Sequence, residues 1–398
     1  MNFKECSYEA DGHVIFNELG RGRDLGDEGT RWAPPLPGDR MGLSSRARSV
    51  VSDQSENPAV VHYEMDHEGD PSRLVYTFGG VDARETLQPG SILDTSTLDC
   101  FAGKVRTVHD HASKVCDPRY LNPQTGPFYV EGAQPGDTLA IHFASIEPRT
   151  TYGVSTTVPL FGALTATGFT AMLHSPLPEM TWIYGIDAEA RTVRYEARES
   201  EAIYRLPLDP MHGTVGVAPA LSEARSALTP GDWGGNMDTP EMRAGVTCYL
   251  GVNVEGALFS FGDGHARQGE GETCGVAVET AMDTVVVVDL IKGAGRVAWP
   301  RLESDTEIMT TGSTRPLEDA FRISHAQLVQ WVVELTGLSI MDAYQFVAQS
   351  AQTPIANVVD TNYTVVAKLK KEYVPGIDPM RGTHRRLRAV GEAYLATR

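Results

Sequence analysis

Positive charge is scarce in this chain: 34 lysines and arginines stand against 52 aspartates and glutamates, a formal net charge of −18 over 398 residues. A surface of that sign repels phosphate backbones, and no lysine/arginine stripe is interleaved with aromatics. Nucleic acid is therefore not an expected partner, and anionic membranes are disfavoured likewise. No stretch approaches ~18 consecutive apolar residues, and the start MNFKECSYEADGHV carries acids where a signal peptide needs basic residues and an apolar run. A cytoplasmic protein without a membrane partner is the expectation. Among the five cysteines, Cys6, Cys100, Cys116, Cys248 and Cys274, there is no CxxC pair. Neither a disulfide framework nor a thiolate zinc site is suggested, and buried thiols are the plain reading. A Walker lysine and a long internal repeat are also missing.

What is present is enough apolar material, 41% of residues, for one large core or two ordinary ones. Residues 1–55 are polar, without a sustained apolar period, and read as an extension or arm. From about residue 56, short apolar runs such as SILDTSTLD, DTLAIHFASIEP and TVVVVDLIKG recur between Gly, Pro, Asp and Asn. That punctuation is β-rich. The expected fold is mainly β, with a β-sandwich or barrel-like core over 56–310 and an α+β C-terminal portion over 311–398 containing a helical pair. In PLEDAFRISHAQLVQWVVELTG, Pro316 opens a helix and Gly337 stops it; in SIMDAYQFVAQSA, Ser339 and Asp342 have capping-box spacing. TNYTVVAKLKK alternates like a final strand with one wet face.

The stretch GDGHARQGEGE, residues 262–272, places a histidine, an aspartate and two glutamates among five glycines. TCYLGVNV reads as a strand, EG as a turn and ALFSF as its return, so the stretch is expected to be a loop held between strands. Its glycines would let Asp263 and His265 turn toward one point. A mixed imidazole and carboxylate set suits zinc or a similar divalent ion; solvated loop polars, or an Asx-turn at Asp263, remain open. Other acids sit in comparable settings: Asn236 and Asp238 behind two glycines, Asp99 at the end of an apolar strand, Glu131 before a PGD turn, and Glu279 inside an apolar strand. A carboxylate among apolar neighbours needs a proton, a partner or a metal. His212, in MHGTVGVAPA, reads more readily as a satisfied core or loop histidine than as a ligand.

Taken in order, GGNMD, a hairpin ending in VEGAL, GDGHxxQGxGE and CGxAxE, preceded by NPQTGPFYVEGAQPGDTL and VGVAP, resemble the acetamidase/formamidase family over residues 58–375. The resemblance implies metal-dependent hydrolysis of a linear amide such as formamide or acetamide to carboxylate and ammonia, by attack of metal-bound water. Its polar positions here are Asp99, Glu131, Asn236, Asp238, Asp263, His265, Gln268, Glu272 and Glu279. From these, Asp238, Asp263 and His265, helped by Asp99, are expected to hold the metal. Glu279 is the expected proton shuttle and Asn236 an oxyanion donor. Glu131, His212, Gln268 and Glu272 are expected to touch substrate. Zinc is the expected ion, with calcium admitted at an all-oxygen neighbour site.

Two departures stand out: residues 1–55 have no counterpart, and His212 occupies a position where a small or apolar residue is expected. The second makes a larger amide or an ester an alternative substrate. A non-catalytic, metal-dependent protein binding a small ligand is a further alternative. Cys274 as a nucleophile is disfavoured, since nothing basic adjoins it. Relatives in the family are assemblies, which implies a homo-oligomer, a dimer or higher.

Overall fold

A computed structural model describes residues 58–65, 74–165, 173, 175–293 and 295–398. The expectations for residues 1–55 lie outside the described residues. Two large sheets dominate. One has nine strands in the order Val60–Tyr63, Ile92–Thr97, Met282–Ile291, Thr138–Pro148, Thr247–Gly251, Arg301–Glu303, Glu307–Thr314, Tyr363–Lys370 and Ile355–Asn357. The other, of ten strands, contains Tyr152–Thr157, Val278–Glu279, Phe259–Arg267, Met211–Gly216 and Gly234–Asn236 as consecutive neighbours, with Gln124–Val130 also paired to Phe259–Arg267.

The two sheets pack face to face. Leu93, Ile141, Phe143 and Val286 from the first meet Phe128, Val215, Phe259 and Phe261 from the second in one buried cluster. Strand periodicity explains the third layer: Val286 and Val288 enter this core, while the alternate Val285 and Val287 face a separate cluster with Leu387. Leu387 lies on the helix Thr383–Leu395. Elsewhere on the nine-stranded sheet, the helices Leu317–Thr336 and Ile340–Ser350 bury Leu328, Trp331, Val332, Ala343 and Val347 against Ile308, Ala367 and Leu369. The mainly β architecture with a helical C-terminal portion is as the sequence led us to expect. No helix among the described residues is long and apolar enough to cross a membrane.

Helix ends follow local chemistry. Pro316 caps the first of the paired helices, and Gly337 ends it at φ 72° with its N–H on Val333 O. Ser339 caps the next, its hydroxyl accepting from the Asp342 N–H at 3.1 Å.

Two expectations need correction. The run from TCYLG to ALFSF is not a hairpin, because Thr247–Gly251 lies in the nine-stranded sheet and Phe259–Arg267 in the other. Both strands turn apolar residues, Cys248 and Leu250 on one side and Phe259 and Phe261 on the other, toward the same core. They therefore face each other across the sandwich, and Ala257 (φ 59°) and Leu258 (φ 52°) swing the chain between sheets. Secondly, GDGHAR is strand rather than loop. Its glycines serve close approach: a Cβ on Gly262 would lie 2.7 Å from Pro123 O, and one on Gly264 would lie 2.3 Å from Met282 Cγ. Glu56–Arg398 is one compact unit, and the strand Glu307–Thr314 runs across residue 310.

Candidate active site

Along Phe259–Arg267 the core residues Phe259 and Phe261 give way to Asp263 and His265. His265 pairs in register with Glu279 on the neighbouring strand. Asp238 follows the strand Gly234–Asn236, and Glu272 comes from the segment after Phe259–Arg267. All five side chains are buried, and their ligand-type atoms gather closely. Asp238, Asp263 and His265 have such atoms within 4.8 Å of one another, as do His265, Glu272 and Glu279, and Cys100, Asp263 and Glu279. These groups overlap in Asp263, His265 and Glu279, and so describe one centre. His265 Nε2 lies 3.2 Å from Glu279 Oε1 and 3.4 Å from Asp263 Oδ1.

Backbone strain is concentrated here. Asp238 (φ 45°), Asp263 (φ 59°) and Glu272 (φ 46°) all adopt left-handed conformations without being glycine. Each costs on the order of 1–3 kcal/mol unless its surroundings hold it.

Amide side chains do much of the holding. Asn236 Nδ2 donates to Asp238 Oδ2 at 2.9 Å and to Asp360 Oδ2 at 2.8 Å. Its Oδ1 accepts from Asn122 Nδ2 at 2.9 Å. Thr214 Oγ1 donates to Asp263 Oδ2 at 3.2 Å, and Asn357 Nδ2 to Asp238 Oδ2 at 3.3 Å. Gln268 Nε2 donates to the carbonyls of Asp238 and Ala356, which leaves Gln268 Oε1 as acceptor 3.0 Å from His265 Nδ1. The proton of His265 therefore sits on Nδ1 in the neutral ring, and the Nε2 lone pair faces carboxylates. Such a lone pair is tolerable only with a proton or a cation between.

Electrostatics agree with that geometry. Burial pushes Glu279 up to about 7 and Asp360 up to about 6. Burial, then the charges of Glu272, Asp360 and Asp263, push Asp238 well above the usual carboxylate range; burial also lifts Glu272 well above it. Burial works against charge on His265, yet Glu279 and Asp263 outweigh it and hold the imidazole well above its ordinary value. Asp263 is pushed up by burial too, but His265 and hydrogen bonds bring it below its ordinary value. Like charges confined in a dry space make one another costly.

Whether a divalent ion suits these residues is tested by the polar atoms they leave over. Among the described residues, Asp238 Oδ1, His265 Nε2 and Glu279 Oε2 are buried without a hydrogen-bond partner. Gly213 leaves a space beside them: a Cβ there would lie 2.4 Å from Asp238 Oδ1, 2.6 Å from Asp263 Oδ2 and 2.9 Å from His265 Cε1. Unsatisfied nitrogen and carboxylate donors, with the imidazole oriented from behind, fit a mixed-ligand cation. Asp263, Glu272 and Glu279 of the centre line a cavity of about 460 Å³, together with Asn122, Asn236 and Asp360.

The acetamidase/formamidase family model matches residues 78–221 and 208–323. This chain belongs to the acetamidase/formamidase family. A crystal structure of acetamidase from Yersinia enterocolitica is 37% identical with a TM-score of 0.75, covering 81% of this chain and 94% of that one. The acetamidase structure from Bacillus halodurans is 28% identical with a TM-score of 0.67, covering 79% and 98%. The acetamidase of Mycolicibacterium smegmatis is 26% identical over 268 residues, a match that spans 54% of this chain and 64% of that relative.

In this member of the acetamidase/formamidase family, three of the expected site residues are not in the centre. Glu131 is exposed and accepts from Gln88 Nε2 at the end of the strand Gln124–Val130. His212 is buried in the core, with Nδ1 3.0 Å from Gly262 O and Nε2 2.8 Å from Thr284 Oγ1, and it packs on Phe143 and Phe261. Both its nitrogens are thus engaged away from the cavity. Asp99 accepts from the N–H groups of Phe101 and Gly103 at 2.8 and 3.1 Å. It shapes the turn that presents Cys100 and Phe101 to the cavity instead of joining a ligand group. Both donors of Asn236 are taken by carboxylates, and Gln268 Oε1 faces His265 Nδ1. Asp360, Asn122, Thr214, Asn357 and Cys100 were not anticipated.

Proposed function

We propose that this protein hydrolyses a linear amide to a carboxylate and ammonia at a divalent ion, zinc, held by Asp238, Asp263 and His265. The observation that carries this is the overlap of buried groups of ligand-type atoms, Asp238–Asp263–His265 and His265–Glu272–Glu279, with Asp238 Oδ1, His265 Nε2 and Glu279 Oε2 lacking hydrogen-bond partners, beside a cavity that Asp263, Glu272 and Glu279 line. A bound divalent ion supplies a lowered pKa for water and charge stabilisation for a carbonyl oxygen. In the overall reaction the C–N bond breaks, a C–O bond to the oxygen of water forms, and nitrogen leaves as ammonia carrying a proton.

The chain's own residues supply the proton movement and the positioning. Glu279 lines the cavity; its Oε1 is anchored by the Ala277 N–H at 2.9 Å, which leaves Oε2 without a partner and available to take a proton from water and return it to nitrogen. Gln268 sets the tautomer of His265, and Asn236 keeps Asp238 and Asp360 apart at hydrogen-bond distance. A homo-oligomer belongs to the same reading, supported by the exposed apolar residues Phe321, Ile340, Met341 and Tyr344 on the paired helices; solution mass tests it.

The deciding experiment is ammonia release from formamide and acetamide before chelation, after chelation and after zinc is restored. Activity that disappears and returns with zinc supports the proposal. Stoichiometric metal without turnover on any amide sinks it in favour of a binding protein.

A further inference from the structure

The cavity is much larger than a short amide needs. Acetamide, with four heavy atoms, fills roughly 120 Å³ if each takes a share like the ~30 Å³ of a water molecule, against about 460 Å³ here. Above the acidic floor the walls are apolar: Phe101, Cys116, Leu121, Val158, Phe161 and Val276 line them. These residues belong to a hydrophobic cluster separate from the main sandwich core, built from the segments around 100–121, 152–161 and 276. Ser113 is a hydroxyl on this wall, and it is engaged with the carboxylate of Glu179.

The wall is held in place by backbone. Gly275 (φ 93°) lies so close under Phe161 that a Cβ would come within 2.5 Å of its ring. The Phe161 N–H bonds Val158 O at 3.0 Å, and the Ala163 N–H bonds Thr273 O at 2.9 Å, tying the Phe161 segment to the chain leaving the metal centre. The result is a polar floor for one reacting group under a fixed apolar chamber. Pockets of roughly 300–1,000 Å³ with few, localised polar groups enclose ligands well beyond four heavy atoms.

Resting on the amide-hydrolase reading above, we infer that the preferred substrate is a primary amide whose acyl group is bulky, apolar and uncharged, of arylacetyl or medium alkyl size, seated on the Phe101–Val158–Phe161 wall. The acyl group takes the wall because the leaving nitrogen of a primary amide carries nothing to fill it. Among the described residues that line this wall, none offers a charged distal group a counter-charge or a free hydroxyl.

The test compares kcat/KM of the zinc-loaded protein on acetamide, butyramide, hexanamide, phenylacetamide and acetanilide. A gain of about fourfold per added methylene, and of roughly tenfold to a hundredfold for phenylacetamide over acetamide, is expected, expressed mainly in KM. Val158→Phe should lower phenylacetamide kcat/KM by tenfold or more relative to acetamide. Cys116→Leu serves as a second obstruction if the first variant fails to fold. Equal or better use of acetamide, or preference for acetanilide over phenylacetamide, would overturn the inference. Calorimetric titration of the zinc-loaded protein with phenylacetate and acetate reads the wall without turnover: tighter phenylacetate supports it and equal affinity refutes it. Should no amide be hydrolysed, the hydrolase reading fails while the calorimetry still decides the preference of the wall.

Discussion

Gly213 offers a test of the proposed metal centre that adds one methyl group and replaces no proposed ligand. Its backbone lies outside the left-handed region, so alanine is conformationally allowed there. The new Cβ would nevertheless lie 2.4 Å from Asp238 Oδ1 and 2.6 Å from Asp263 Oδ2, where ordinary contact is 3.4–4 Å. The two carboxylates must retreat by about 1 Å, and misplacement of that size costs on the order of a hundredfold in rate. Disturbing groups that merely orient a ligand already lowers metal affinity roughly 10–100-fold, so Gly213→Ala is expected to weaken zinc by about a hundredfold or more. Overpacking costs only about 1–3 kcal/mol, a fall of a few degrees in Tm. The assay pairs calorimetric zinc titration and ammonia release with thermal melting. Gly185→Ala, whose Cβ would meet Arg194 Cβ at 3.8 Å, is the control. A folded Gly213→Ala protein that binds zinc as tightly as the parent would refute the assignment of Asp238 and Asp263 as ligands.

Glu279→Gln is expected to lower kcat roughly 10²–10⁴-fold with metal content unchanged; loss of metal in that variant would make Glu279 a ligand and refute the shuttle role. Burial, with His384 and Arg388 adding to it and Asp305 opposing, pushes His142 down to about 3. Since the unfolded chain protonates near 6.5, it binds the extra proton between those values. Stability should therefore fall by about 1.4 kcal/mol per pH unit from this residue as pH drops below 6.5, and be unaffected by it above. Urea unfolding of His142→Gln across that range should show a shallower slope, and an identical slope would refute the assignment. Ser339→Ala removes the hydroxyl cap of Ile340–Ser350 and should cost about 1 kcal/mol in urea unfolding while leaving kcat/KM unchanged; an unaltered midpoint would show that the cap contributes nothing.

Much of this architecture is written locally. The unbroken apolar run in TVVVVDLIKG specifies a strand with two buried faces, and Pro316, Gly337 and Ser339 mark helix ends that the structure places there. The helix Thr383–Leu395 was missed because its apolar stripe is thin, with a glycine in the middle. Gly391 is there for contact, since a Cβ would sit 2.6 Å from Ala144 Cβ on the sheet beneath. Glycine likewise disguised the centre: Gly262 and Gly264 read as loop flexibility, whereas they mark close passage of neighbouring strands. The acids of GGNMD and GDGH were legible because glycine spacing set them apart. Asp360 was not, since an aspartate in NVVDTN looks like any solvated turn until Asn236 and Asp238 are brought beside it. Glu131 misled for the opposite reason, lying in a distinctive motif whose business is a turn.

Asn236 joins Asn122, 114 positions earlier, to Asp360, 124 positions later. Gln268 reaches 88 positions ahead to Ala356. Links of that span close late, because the chain entropy of distant ends must be overcome before any of them forms. On a ribosome the order is stricter still: Asp238, Asp263 and His265 emerge well before the segment 356–360 that braces them. The braces from this segment thus join only after every acid they hold has been made, and a nascent chain stalled before residue 355 lacks Asn357 and Asp360, which steady Asp238 and Asn236.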